Sequence, residues 1–307
     1  SQPAKLSPPR SPIGLAAERR AGQGCKTFTP ELLHGIRDLR KISIKICAAC
    51  THGTPVMPLL DRWPTALFIG DSLTEFGFSP DGCWLARVAH GLRRRCDLRV
   101  RGFSGYTTRW WRASLPRLLP ASCPCGQAGD TAACVVFLGA NDSSRGAAKP
   151  TLHVPLTELK DNLGWILREL MLRLSLTPDK LLLISIPPVD EAAYKPDCEA
   201  SGFPFDKFLA DCEPYNRAIR DVAHETGVEL VDIFNPIMEH ENWQQLFADG
   251  IHFNAKGSEL VFNCVWPAIE RRVSHLPVML PDFEEAAAAG FDEALASWSQ
   301  RVGLSTN

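Results

Sequence analysis

A chain of 307 residues, 45% of them hydrophobic, has room for one large domain or two small ones and for a sizeable buried core. Its net charge of −2 gives no sign of a nucleic-acid surface, and no apolar run approaches the roughly 18 residues of a membrane-spanning helix. Eleven cysteines, an odd number in no repeating framework, read as free thiols in a reducing compartment rather than as a disulfide scaffold.

The first 60 residues differ from the rest. They carry nine Lys/Arg against three Asp/Glu, so the acidic surplus falls on the remainder. Ser1 to Gly24 is rich in Pro, Ser, Arg and Gly, a composition with little to bury that is expected to be disordered. Pro30 to Leu39 reads as a short helix, with Thr29 as its cap and Pro30 at its first position. Cys47, Cys50 and His52, with Cys25 as a distant fourth ligand, have the residue types of a zinc clip but match no zinc module in spacing. An arginine-rich, acid-poor leader also fits an organellar signal, whereas no secretory signal is visible. Residues 1–60 are therefore read as an extension outside the core, and the chain is expected to work inside the cell, in the cytoplasm.

From Thr65 the pattern becomes regular. Thr65–Gly70 is an apolar, β-leaning run of strand length, broken by Gly70-Asp71 and followed by Ser72. A helix is predicted near Cys83–Arg95 and a short strand at Asp97–Arg101. A loop with two glycines, Gly102 and Gly105, leads to a helix starting near Trp110. Cys134–Leu138 is a continuous apolar run, as in a strand covered on both faces, and ends at Gly139-Ala140-Asn141-Asp142. Leu156–Leu174 is the longest predicted helix. Leu181–Ile186 is a fourth strand, stopped by Pro187-Pro188. Phe208–Thr226 is an amphipathic helix closed by Gly227, and Val228–Ile233 a fifth strand. Helices are predicted at Pro236–Phe247 and Asn254–Val273. Phe283 to Leu304 reads as a polar-faced helix or a frayed end. Strands alternating with helices imply an α/β fold with a parallel sheet covered on both faces.

Candidate reactive residues fall at the strand ends. Ser72 follows the first strand, Gly105 the second and Asn141 the third, while Asp249-Gly250-Ile251-His252 lies beyond the fifth. In a parallel sheet these loops converge on the carboxyl edge, so distant residues can share one pocket. A serine hydrolase needs a nucleophile, a base, an orienting acid and an oxyanion hole. Ser72 can supply the hydroxyl. A three-residue spacing lets Asp249 reach one nitrogen of the His252 ring while the other faces the serine. The backbone amides of Ser72 and Gly105 and the side-chain amide of Asn141 can supply oxyanion donors, and a side chain at 105 is expected to obstruct that approach. Each feature also has a plainer role: Ser72 as a turn cap, Asp249 as a helix cap, Gly105 and Asn141 as turn residues. Phe76, Phe78, Tyr106, Trp110 and Trp111 could line an acyl pocket or simply pack. The Gly-x-Ser-x-Gly elbow of α/β-hydrolases is absent.

Gly70-Asp71-Ser72-Leu73, the Gly105 loop, Gly139-Ala140-Asn141-Asp142 and Asp249-Gly250-Ile251-His252, in this order, resemble the four blocks of the GDSL/SGNH esterases and lipases. Arg101-Gly102-Phe103-Ser104-Gly105-Tyr106, Asp249 to Gly257 and Val265-Trp266-Pro267 are similar to the isoamyl acetate-hydrolysing esterase subgroup, although Val100 stands where related sequences often carry Asn. The likeness runs from about Pro64 to Phe283, giving a hydrolase domain at 61–283 and a partly helical tail at 284–307. It implies a three-layer, flavodoxin-like fold with five parallel strands. It implies Ser72 as nucleophile, His252 as base, Asp249 as orienting acid, and Ser72, Gly105 and Asn141 as oxyanion donors, with no cofactor or metal. The implied activity is hydrolysis of short-chain esters through an acyl-serine. A lysophospholipid or thioester substrate, or a catalytically silent binding module, stands as the alternative on the same scaffold. The oligomeric state is not legible.

Overall fold

The structure, a computed structural model, describes residues 63–79, 83–119 and 131–302. The predicted disorder, the helix at 30–39 and the zinc reading of Cys25, Cys47, Cys50 and His52 lie outside the described residues. Five strands form one parallel sheet in the order β2-β1-β3-β4-β5: β1 (Thr65–Gly70), β2 (Asp97–Gly102), β3 (Thr131–Phe137), β4 (Leu181–Ile184) and β5 (Glu229–Val231). This is the α/β architecture expected from the alternation of strands and helices.

The helices, in chain order, are α1 (Ser72–Glu75), α2 (Trp84–Leu92), α3 (Thr108–Leu118), α4 (Leu156–Leu174), α5 (Glu191–Ser201), α6 (Leu209–Thr226), α7 (Phe234–Met238), α8 (Ala255–Val273), α9 (Phe283–Ala289) and α10 (Phe291–Arg301). Alternate residues of each strand feed opposite layers. Leu67, Ile69, Cys134, Val136, Leu181 and Leu183 pack under α3, α4 and α6. Ala66, Phe68, Val135, Phe137, Leu182 and Ile184 pack under α2 and α8. Each fully buried Leu, Ile or Phe contributes about 1.5–3 kcal/mol by leaving water, so the two layers hold the sheet between them. The strands β1, β3 and β4 are buried throughout, which is why they read as unbroken apolar runs, whereas the edge strand β2 alternates in exposure.

Several predicted boundaries shift. The helix predicted at Pro236–Phe247 is two pieces, α7 and a 3₁₀ turn at Trp243–Leu246, and α7 begins two residues early, where Asp232 accepts from Phe234 N at 2.9 Å. Helix α5 had no sequence expectation. Its start is set by Asp190, which accepts from Ala192 N and Ala193 N, and Pro196 inside it masked the pattern. Strands β4 and β5 are shorter than expected. Past β4, Asn216 on α6 takes over the main-chain bonds of Ile186, accepting from its N at 2.8 Å and donating to its O at 3.0 Å. The stretch from Phe283 forms two helices, with Trp298 Nε1 donating to Val278 O at 2.8 Å. Among the described residues no helix is long and apolar enough to cross a membrane.

Candidate active site

The sheet order reverses direction between β1 and β3, and the loops leaving these strands border a crevice at the carboxyl edge. At the end of β1 the chain turns directly into α1. Asp71 caps that helix, accepting from Leu73 N at 3.0 Å. Two tryptophans brace the turn: Trp111 Nε1 donates to Gly70 O and Trp84 Nε1 to Leu73 O, each at 3.0 Å. A Cβ on Gly70 would lie 1.9 Å from Thr74 Oγ1 and 2.9 Å from Phe137 O, so only glycine lets α1 fold back this closely.

The brace leaves Ser72 at the cleft, with Oγ 2.9 Å from His252 Nε2. His252 Nδ1 is 2.5 Å from Asp249 Oδ2. The other carboxylate oxygen accepts from Ile251 N at 3.0 Å and His252 N at 2.7 Å, so the four-residue loop closes on itself. These contacts assign the ring proton to Nδ1 and leave Nε2 facing the serine. Burial opposes ionisation of Asp249. The hydrogen bond and charge of His252, with the two backbone N–H groups, outweigh it and hold the carboxyl below its ordinary range. The cap of the last long helix falls instead to Asn254, which accepts from Lys256 N and Gly257 N.

The other two candidate residues come from the neighbouring loops. Asn141, nearly buried, lines the same cleft as Ser72 and His252, and its Nδ2 donates to Tyr106 O at 3.0 Å. Gly105 lies one residue before that carbonyl, outside the cleft lining. The structure corrects the reason for a glycine there: a Cβ would meet open space, but φ is +78°, a left-handed backbone that other residues adopt at a cost. Among the described residues, no protein acceptor takes the N–H of Ser72 or of Gly105. No group of three or more His, Cys, Asp or Glu among the described residues is arranged to hold a metal.

The cleft wall was missed at the sequence level. It is built from Ile186, Pro187, Pro188, Val189, Cys212 and Ile251, and the cleft is narrow and partly open to solvent. The proline pair had signalled only a strand end. Of the aromatic residues singled out, none lines this cleft. Trp111 is core, Tyr106 packs on Phe103, Trp110 and Trp111, and Phe78 is half exposed. Phe76 stands edge-on to the His252 ring at 5.1 Å, on its other side. Behind the cleft sit buried ionisable groups. Burial lifts Asp71 to about 6, against the Leu73 N–H and the charges of Lys207 and His252. Burial also lifts Asp142 to about 7, although its carboxylate accepts from both Thr108 N and Thr108 Oγ1.

Known proteins resemble this chain in sequence and fold. The GDSL-like lipase/acylhydrolase family matches residues 68–260. A Bos taurus isoamyl acetate-hydrolyzing esterase 1 homolog is 37% identical over 80% of this chain and 94% of its own. The Homo sapiens homolog is 34% identical over the same shares, and a GDSL esterase/lipase of Arabidopsis thaliana is 36% identical over 70% of this chain and 91% of its own. Among solved structures, a lipase/acylhydrolase from Enterococcus faecalis superimposes with a TM-score of 0.53 at 17% identity, covering 70% of this chain and 98% of that one, which is a likeness of fold. Matched by esterases along most of its length and carrying their parallel-sheet fold, the chain belongs to the GDSL-like lipase/acylhydrolase family and is a carboxylic ester hydrolase.

Proposed function

We propose that the protein cleaves small-molecule esters of short acyl chain through an acyl-serine intermediate, with Ser72 as nucleophile. The observation that carries this reading is the continuous relay from Asp249 Oδ2 to His252 Nδ1 and from His252 Nε2 to Ser72 Oγ, opening on a cleft. His252 takes the hydroxyl proton as Oγ attacks the ester carbonyl. Asp249 holds the ring orientation and stabilises the imidazolium. The charge that develops on the carbonyl oxygen is received by the N–H groups of Ser72 and Gly105 and by Asn141 Nδ2. One such donor is worth about 10²–10³ in kcat. His252 then protonates the departing alcohol and activates the water that releases the acid.

The narrow cleft supports a short acyl chain, since Ile186 and Val189 line its wall and Asn216 pins the main chain of Ile186. Isoamyl acetate, named for several relatives, is an ester of this kind. We place the protein in a reducing, intracellular compartment; Cys83, Cys96, Cys134, Cys198, Cys212 and Cys264 are all free thiols, which supports that placement.

The test is Ser72→Ala. Purified variant and wild type are compared on p-nitrophenyl esters from acetate to laurate, and wild type is labelled with a fluorophosphonate. The expected result is loss of turnover by the variant, labelling at Ser72 and a wild-type preference for the shortest chains. Undiminished hydrolysis by Ser72→Ala ends the assignment. A wild type that prefers long chains or acyl thioesters keeps the nucleophile but changes the substrate class.

A further inference from the structure

Lys207 was not singled out from the sequence. It stands just before α6, only 5% exposed, and lines the same cleft as Ser72 and Asn141. Its Nζ donates to Ala140 O at 2.6 Å and to Ser144 Oγ at 3.0 Å. The preceding residue reinforces the clamp, because Arg145 N donates to Asp206 O at 2.8 Å. Residues 206–207 therefore grip both ends of the turn that carries Asn141.

The grip matters because of where Ala140 O lies. That oxygen belongs to the peptide joining Ala140 to Asn141, so fixing it fixes the plane from which the Asn141 side chain departs. Ser143 Oγ donates to the same oxygen at 3.0 Å. On the far side, Asn141 Nδ2 is tied to Tyr106 O. One amide hydrogen is thus spent on Tyr106, and the direction of the other is set by the main chain that Lys207 holds.

A buried ammonium is a poor source of stability, since desolvation offsets much of its attraction to neighbours. Burial lowers the affinity of Lys207 for its proton, and Asp206, Asp71 and Asp142 oppose that effect. A neutral replacement would leave those carboxylates without the ammonium, so a drop in thermal midpoint is expected alongside any kinetic effect. Beside that charge role, its two hydrogen bonds hold the turn that carries Asn141 in place.

We propose that Lys207 is a positioning residue of the oxyanion site, locking the Ala140–Asn141 peptide so that the Asn141 amide points at the substrate carbonyl. This rests on the reading of Asn141 as an oxyanion donor. Lys207 itself transfers no proton and forms no bond to substrate.

The test is a double-mutant cycle on p-nitrophenyl acetate with Lys207→Met, Asn141→Ala and the pair. Lys207→Gln serves as a second, polar replacement, and thermal midpoints are measured throughout. Lys207→Met is expected to lower kcat by up to about 100-fold, the loss typical of a misplaced catalytic group, while KM stays nearly unchanged. In the Asn141→Ala background the same change is expected to cost almost nothing, because the group it positions is gone. Lys207→Gln is expected to lose less than Lys207→Met. Equal losses in both backgrounds, or an unchanged kcat in both single variants of Lys207, overturn the proposal. Full activity in Asn141→Ala alone would instead remove the donor reading, so the two failures are told apart.

Discussion

The two loops that meet at Ser72 are built in opposite ways. The catalytic contacts of Asp249–His252 are made within the loop, one carboxylate oxygen taking two of its backbone N–H groups and the other the histidine ring, although Asp190 N also donates to Gly250 O at 2.9 Å. The turn from Gly139 to Ser144 depends on other parts of the chain. Lys207 holds Ala140, Tyr106 holds Asn141, and Thr108 holds Asp142. A self-closed loop has its geometry written in its spacing. A loop held from two distant segments, 106–108 and 206–207, owes its geometry to packing that brings those segments together.

The contrast sharpens into measurable differences. The largest effect is expected at the self-closed loop. Asp249→Asn should lower kcat by about 10⁴, because the amide no longer fixes the correct ring tautomer. Its remaining oxygen still accepts from Ile251 N and His252 N, so the thermal midpoint should hardly move. A stability loss with kcat preserved would show that Asp249 is only a turn residue. A smaller change is expected at the cleft wall. Ile186→Ala should raise the kcat/KM ratio of hexanoate to acetate esters by about tenfold, the scale set by methylene-sized space in an apolar pocket. The space should stay open, since Asn216 pins the main chain of Ile186. An unaltered chain-length profile would place the acyl group elsewhere.

A third difference, read as stability rather than turnover, concerns pH at the borrowed loop. Asp142 rises from a carboxyl value of 3.8 to about 7 in the folded protein. The folded state thus holds this proton more tightly than the unfolded chain. The associated stabilisation is complete below about pH 4 and is lost as the pH climbs through about 7, at a slope of up to about 1.4 kcal/mol per pH unit. Asp142→Asn removes that loss. The thermal midpoint of the variant relative to wild type should therefore improve between about pH 4 and pH 8, read by calorimetry. A constant difference across the range would show that Asp142 titrates as an ordinary carboxyl.

The aromatic residues illustrate where one-dimensional reading stopped. Tyr106, Trp110 and Trp111 lie close in sequence to the motif loops, yet the cleft is walled by aliphatic and proline side chains from β4 and beyond, while Phe76 borders Ser72 and His252 on the other side of the ring. Trp111 instead braces the nucleophile turn through Gly70 O. The Pro187-Pro188 pair was visible as a breaker, but nothing in a breaker says which cavity it faces. Lys207 was invisible for the same reason. A lysine between two helices looks solvent-exposed until the turn after β3 folds over it.

Strand alternation, apolar runs and four short blocks in a fixed order were sufficient for the parallel sheet, for the Ser72, Asp249 and His252 candidates, and for the family. Those features are local: periodicity follows from backbone geometry, and a three-residue spacing limits how far a carboxylate can reach. Assembly was needed for the width of the cleft, for the tether of Asn141 to Tyr106, for the left-handed backbone at Gly105 and for the grip of Lys207. Apart from the backbone angle at Gly105, each joins residues remote along the chain, and such contacts exist only after both faces of the sheet have been buried.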